Sequence, residues 1–164
     1  MILVLGRLFQ QPARDHDHYR PARDRREAVK NGGVGDDGAA RCPCGLGERY
    51  DACCGPLHLG RVGAATAEQL MRSRFSAFAR GDGAYLVRTW DPGDRPARLR
   101  LDPEQRWTRL EVLGTSGGGL FDSAGTVEFR AHFRHRGKPG SLHERSRFIR
   151  ADGLWLYAGA MRSP

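Results

Sequence analysis

Residues 41–58 read RCPCGLGERYDACCGPLH and hold all four cysteines of the chain, Cys42 and Cys44 about a proline and then Cys53 and Cys54 side by side. Four soft ligands in so short a run match the demand of a structural Zn2+ site, which fills every tetrahedral position with protein. Pro43 fixes the backbone between the first two cysteines, so both sulfurs can face one point. Gly45 and Gly47 permit a sharp turn where a left-handed φ is needed. Cys53 and Cys54 close the site from the far side, at the start or end of a helical turn, and Arg41 and Arg49 flank the run with charge that favours thiolate. Zinc is the expected ion, and the same all-thiolate set also accepts iron. Two disulfides or a set of buried free thiols are the competing uses of four cysteines, and disulfides belong to oxidising compartments. The apolar start over residues 1–5 stops at Gly6 and Arg7, short of the roughly 7–15 apolar residues of a secretory segment, so the expected compartment is the cytoplasm.

Outward from this run the composition changes on both sides. Residues 1–40 are rich in charge, glycine and proline without a sustained apolar period. Such a segment cannot bury enough surface to offset its ordering entropy, and a disordered extension is expected. Residues 41–60 form the metal module, and residues 65–164 suffice for one modest core. No run is apolar for 18 residues, which excludes a helical membrane span. Gly117, Gly118 and Gly119 lack a following Lys-Ser/Thr, so they read as a loop and not as a phosphate cradle.

The second unit begins with helical spacing. Thr66 with Gln69 three residues on forms a capping box, Leu70, Met71, Phe75 and Phe78 share a stripe, and Gly81 stops the helix. Glu68 and Arg72 pair at i, i+4 on its other side. Asp82 caps a second helix expected to run past Tyr85 and Leu86 to Trp90, ended by Pro92, and Asp102-Pro103 opens one further turn. From Trp107 the period becomes two: apolar and polar positions alternate strictly from Val127 to Phe133. Strands over 142–149 and 154–161 follow, divided by turn signals at 137–140 and at Asp152-Gly153. Helices first and strands afterwards predict an α+β fold, with helices on one face of a curved antiparallel sheet.

Several of these segments resemble a known family. The spacing CxC-x8-CC with Gly45, Gly47 and Tyr50 between the pairs is similar to the SEC-C motif, the metal-binding module at the C-terminus of the SecA translocase ATPase. The runs TAEQLMRSRFSAFARGD (66–82), WTRLEVL (107–113), GTVEFRAHF (125–133), LHERSRF (142–148) and DGLWLY (152–157) resemble YchJ-family proteins in order. The resemblance covers about residues 41–162. It implies a SEC-C module joined to a cone-shaped domain of the cystatin-like or nuclear-transport-factor-two-like kind. Its likeness to the SecA module implies a protein or ribosome partner near export or translation.

Candidate sites beyond the cysteines follow from strand phase. Glu144 and Ser146 share a face with Leu142 and Phe148 and so point inward, where such a cone keeps a cavity. A buried carboxylate needs a partner, and Arg72 or Arg74 of the first long helix is expected to meet Glu144. That cluster is either a lock between helix and sheet or a site for a small-molecule ligand. A lyase or isomerase using Glu144 or His143 as proton carrier is the enzymatic alternative. His132 and His143 otherwise lie in polar phase, and His58 stands near enough to the cysteines to ligate or support them. The net charge is +8, and 25 of the 27 basic residues are arginine. Arg130, Arg134, Arg136, Arg145 and Arg147 form a candidate basic face for RNA. The leading expectation is a zinc-binding, non-enzymatic protein acting through a protein or ribosome partner.

Overall fold

The computed structural model describes residues 38–161, so most of the expected 1–40 extension lies outside the described residues. A 3-10 turn (Tyr50–Ala52) and a short helix α1 (Gly55–His58) follow the first cysteine pair. Helices α2 (Ala67–Arg80) and α3 (Gly83–Arg88) come next. Strands β1 (Gln105–Gly117), β2 (Ala124–His135), β3 (Lys138–Ala151) and β4 (Leu154–Ala160) complete the chain as an antiparallel meander in the order β1-β2-β3-β4.

Local chemistry sets the ends of α2. Thr66 Oγ1 accepts from the Gln69 amide at 3.1 Å. Gln69 Oε1 reaches back to the amide of Ala65, one residue before the cap. Gly81 ends the helix at φ +74°, a conformation that costs glycine little. Asp82 caps α3 through the Tyr85 amide. That helix stops at Arg88 and does not reach Trp90. Trp90 instead pairs in parallel with Tyr157 of β4, because the amides of Asp91 and Tyr157 donate to Tyr157 and Thr89 carbonyls across the sheet edge. Asp102-Pro103 makes only a turn, in which Asp102 Oδ1 accepts from the Glu104 amide before β1 begins.

Alternation places the core. Val127, Phe129 and Ala131 of β2, Phe148 of β3 and Trp155 and Tyr157 of β4 are buried against Leu70, Met71 and Phe75 of α2 and Leu86 of α3. Bulges in β1 near Thr108 and Leu113, and one between β3 and β4, break the ladder. Bulges bend a strand and raise its twist, which curves the sheet around α2. Two hairpins close on two-residue turns, Arg136-Gly137 and Asp152-Gly153, with positive φ at all four residues. This is the turn whose twist suits a hairpin. The predicted 137–140 turn is therefore shorter, and Lys138–Gly140 already belong to β3.

The metal module is not a detached bead. It packs on the side of α2 that faces away from the sheet, through the stripe of Arg72, Ser73, Ser76 and Arg80. Arg72 donates to the Cys44 carbonyl at 3.1 Å, and the Arg80 guanidinium sits 3.9 Å over the Tyr50 ring. Arg88 of α3 donates to the carbonyls of Leu57 and His58. Helix α2 is thus covered on both sides.

Candidate metal centre and interior polar cluster

The sulfurs of Cys42, Cys44, Cys53 and Cys54 all lie within 4.8 Å of one another, and Cys42, Cys44 and Cys54 are buried. Cys44 and Cys53 are 3.5 Å apart, and Cys53 and Cys54 are 4.0 Å apart. A tetrahedron with Zn–S bonds of about 2.3 Å places its sulfurs about 3.8 Å apart. A disulfide would need about 2.05 Å. The spacing therefore fits one ion held by four thiolates.

The backbone explains the convergence. The Cys42 amide donates to the Glu48 carbonyl, Arg41 and Arg49 pair as an antiparallel bridge, and Gly45 and Gly47 turn the chain at φ +87° and +84°. The second pair follows the 3-10 turn, with Cys54 leading into α1. Arg49 is tied to Asp51 at 2.6 Å and Arg41 to the Gly47 carbonyl, so neither guanidinium is spent on a sulfur.

Proton chemistry asks for the same cation. Hydrogen bonds from the Cys44 and Cys54 thiols hold Cys42 far below the usual thiol range. Burial first, and then its neighbours, push Cys53 up to about 12, and bonding to Cys42 and Cys44 raises Cys54 further. Cys42 becomes thiolate easily while Cys53 and Cys54 resist, because like charges at this distance oppose each other. A dication among them removes that resistance.

His58 is not a ligand. Its Nε2 lies 2.9 Å from the Ser73 carbonyl and its Nδ1 2.8 Å from the Tyr50 hydroxyl. A carbonyl only accepts, so Nε2 carries the proton and Nδ1 of the neutral ring accepts from Tyr50. The ring supports the centre by fixing the module to α2. Burial lowers its pKa below the ordinary value of 6.5, against the raising influence of the Ser73 carbonyl and Asp82. The unfolded chain then binds the proton more readily, and stability is lost as pH falls through 6.5 toward the folded value. His58→Gln should show a shallower loss of urea stability than the parent between pH 7.5 and pH 5.5. Equal slopes would remove His58 from the acid response.

The interior holds a second polar group of residues. Glu144 and Ser146 lie on the inner face of β3, and Glu144 accepts from Ser146 Oγ at 2.6 Å and from the Tyr157 hydroxyl at 3.1 Å. Arg74 is buried, with its guanidinium 4.6 Å over Tyr157 and 5.1 Å over Trp90. It donates to the Leu86 carbonyl and to Thr89 Oγ1. Burial lowers its pKa to about 10, opposed in part by Tyr157, Tyr85 and Glu144, so it stays charged at neutral pH.

Two expected placements change and one holds. Arg72 does not join this cluster: it lies on the module side of α2, bonded to Cys44 and to Glu68 at 2.8 Å. His143 points outward, as its polar phase predicts, and binds Glu128 at 2.7 Å, so the enzymatic alternative loses it as a proton carrier for the interior. Arg136 lies in the β2–β3 turn and not on a strand face, and it pairs with Glu104. Sequence reasoning missed the Tyr50–His58–Ser73 chain and the Trp90–Arg74–Tyr157 stack, whose members meet only in the folded chain. It also missed the exposed group Asp102, Glu104 and His135 between the start of β1 and the end of β2.

Comparison with known proteins agrees with this architecture. The family profile described as the YchJ middle NTF2-like domain matches residues 66–160. A UPF0225 protein of Streptomyces coelicolor is 59% identical over 117 residues, which cover 71% of this chain and 91% of that protein. One from Deinococcus radiodurans is 42% identical over 120 residues, covering 73% and 87%. The solution structure of a SEC-C motif containing protein from Rhodopseudomonas palustris superposes with a TM-score of 0.67 at 42% identity, over 76% of this chain and all of that one. A crystal structure of a SEC-C motif containing protein from Psychrobacter arcticus gives 0.64 at 27% identity, over 79% and 88%. Motif order, the cysteine cluster, the helix-on-sheet fold and these likenesses converge: the chain belongs to the YchJ family.

Proposed function

We propose that this protein acts by binding another macromolecule through its metal-stapled module, with a protein or a ribosome as partner. The observation that carries the reading is the fixed presentation of that module. Its inner side is locked to α2, while Leu46, between the two left-handed glycines, stands 55% exposed at its outer turn. A short loop held by four metal bonds loses little freedom on docking, which favours recognition. Zn2+ is the proposed ion, because a closed tetrahedron of four thiolates suits it, and iron is the alternative. The free thiols suit a reducing compartment, the cytoplasm. The link to protein export or translation rests on the module's resemblance to that of SecA.

The test is co-sedimentation of the full chain with ribosomes. Association should be lost when Cys53 and Cys54 become serine, lost on chelation, and kept in Glu144→Gln. Equal loss in the cysteine and Glu144 variants would count against the module as the docking element.

A further inference from the structure

The outer face of the sheet carries a charge pattern set by strand register. Helix α2 packs on the other face, and here Arg106 and Arg109 of β1, Arg130 and Arg134 of β2, and Arg145 and Arg147 of β3 all stand exposed. Two carboxylates, Glu111 and Glu128, share the face with them. Cross-strand neighbours of opposite sign ordinarily pair, and Arg145 stands directly opposite Glu128, as Arg130 does Glu111. Both acids are engaged elsewhere. Glu128 is held by His143 at 2.7 Å, and Glu111 by Arg109 and by His132 at 3.3 Å. Arg147 approaches Asp94 at 3.7 Å. Among the described residues, Arg106, Arg130, Arg134 and Arg145 have no ion pair.

The geometry points to the phosphate backbone of duplex RNA as the occupant of this face. Four uncompensated guanidiniums sit on three adjacent strands, Arg134 directly opposite Arg106, in a sheet whose strands lie about 4.8 Å apart and whose same-face residues follow at about 6.8 Å along each strand. A guanidinium offers a planar fork that grips phosphate oxygens bidentately, so an array of them suits a line of phosphates. The outward positions of β2 and β3 contain no Phe, Tyr or Trp. Unpaired strands are held by stacking on such rings, so their lack favours a paired backbone over a single strand. The choice of RNA over DNA rests on the proposed ribosome partner. The phosphate chemistry itself is common to both.

The experiment measures anisotropy of a labelled RNA hairpin titrated with the metal-loaded full chain, between about 50 and 200 mM salt. The variant is Arg106→Gln, Arg130→Gln, Arg145→Gln. The control is Arg61→Gln, Arg98→Gln, Arg100→Gln, which removes equal charge from exposed positions outside the strands. The basic residues of the N-terminal segment are common to every protein in the comparison. The face variant should bind at least about tenfold more weakly at the lower salt, with the log–log salt slope reduced by roughly 2–3. The control should stay within about threefold of the parent. Equal losses in variant and control would overturn the site. Equal competition by polyglutamate of the same charge would overturn phosphate recognition in favour of an acidic protein, and preference for duplex DNA would overturn RNA. The cysteines are untouched and no ribosome is present, so failure here leaves the metal-module reading standing. Ribosome association that is kept in the cysteine variant, or lost equally in Glu144→Gln, would sink that reading separately.

Discussion

Chelation of the metal under reducing conditions should unfold the cysteine module and also weaken the cone beneath it. For the module the expected loss is complete, since structural zinc contributes on the order of 10 kcal/mol to segments that lack a core of their own. Besides its sulfurs, this module has the backbone bridge of Arg41 with Arg49, the partial burial of Tyr50 and the burial of Leu57. For the cone the effect passes through α2. Losing the bonds His58 to Ser73, Arg72 to Cys44 and Arg88 to Leu57, together with the cover over Ser76, should cost about 2–4 kcal/mol. In a domain of this size that lowers Tm by roughly 10–20 °C. Hydrogen exchange should show amides at 42–58 losing protection first and those of α2 becoming partly labile, while Val127 and Phe129 stay protected. An unchanged Tm for the cone on metal removal would show two independent units and refute the coupling through α2.

What could be read from the sequence was local or periodic. Thr66, Gln69 and Gly81 bound α2 because capping and a left-handed stop act within a few residues. The run Val127–Phe133 fixed a strand and its inward face because each step of a strand reverses the side chain. The cysteine spacing pointed to a metal cluster because all four ligands fall in one short segment. The remainder depends on distant neighbours. Trp90 leaves the helical path because its backbone finds β4 at Tyr157, and nothing near residue 90 announces that. Arg72 and Arg74 are two residues apart on one helix, and the roughly 200° between them sends one to the module and the other to the interior. Glu144 and Ser146 could be assigned one inward face, but Tyr157 as a donor to Glu144 required the β3–β4 register. The β2–β3 turn was misplaced because Arg136 takes a positive φ usually left to Gly, Asn or Asp.

Arg74→Met should be among the most destabilising single substitutions in the cone, at about 3–5 kcal/mol. The side chains are similar in length, so the loss is mainly chemical. The buried Leu86 carbonyl and the half-buried Thr89 Oγ1 each lose a donor, and away from water an unmade bond costs more than a made one gains. The cation over Tyr157 and Trp90 disappears as well, and a desolvated contact of that kind contributes about 2 kcal/mol. Glu144, close enough to influence Arg74, loses a positive charge from its surroundings. Arg74→Lys should recover only part of this, because a compact ammonium does not reproduce the planar fork that stacks on the rings while donating to both oxygens. Arg72→Met serves as the contrast. Its pair with Glu68 is partly solvated, so about 1 kcal/mol is expected for the cone. Urea midpoints at constant m, measured on metal-loaded protein, give these differences. A double-mutant cycle with Glu144→Gln should show a coupling of about 1 kcal/mol or more with Arg74, and none with Arg72. If Arg74→Met instead lies within about 1 kcal/mol of the parent, the guanidinium is not a lock between helix and sheet, and a buried cation retained without a stabilising role would turn attention to an anionic ligand.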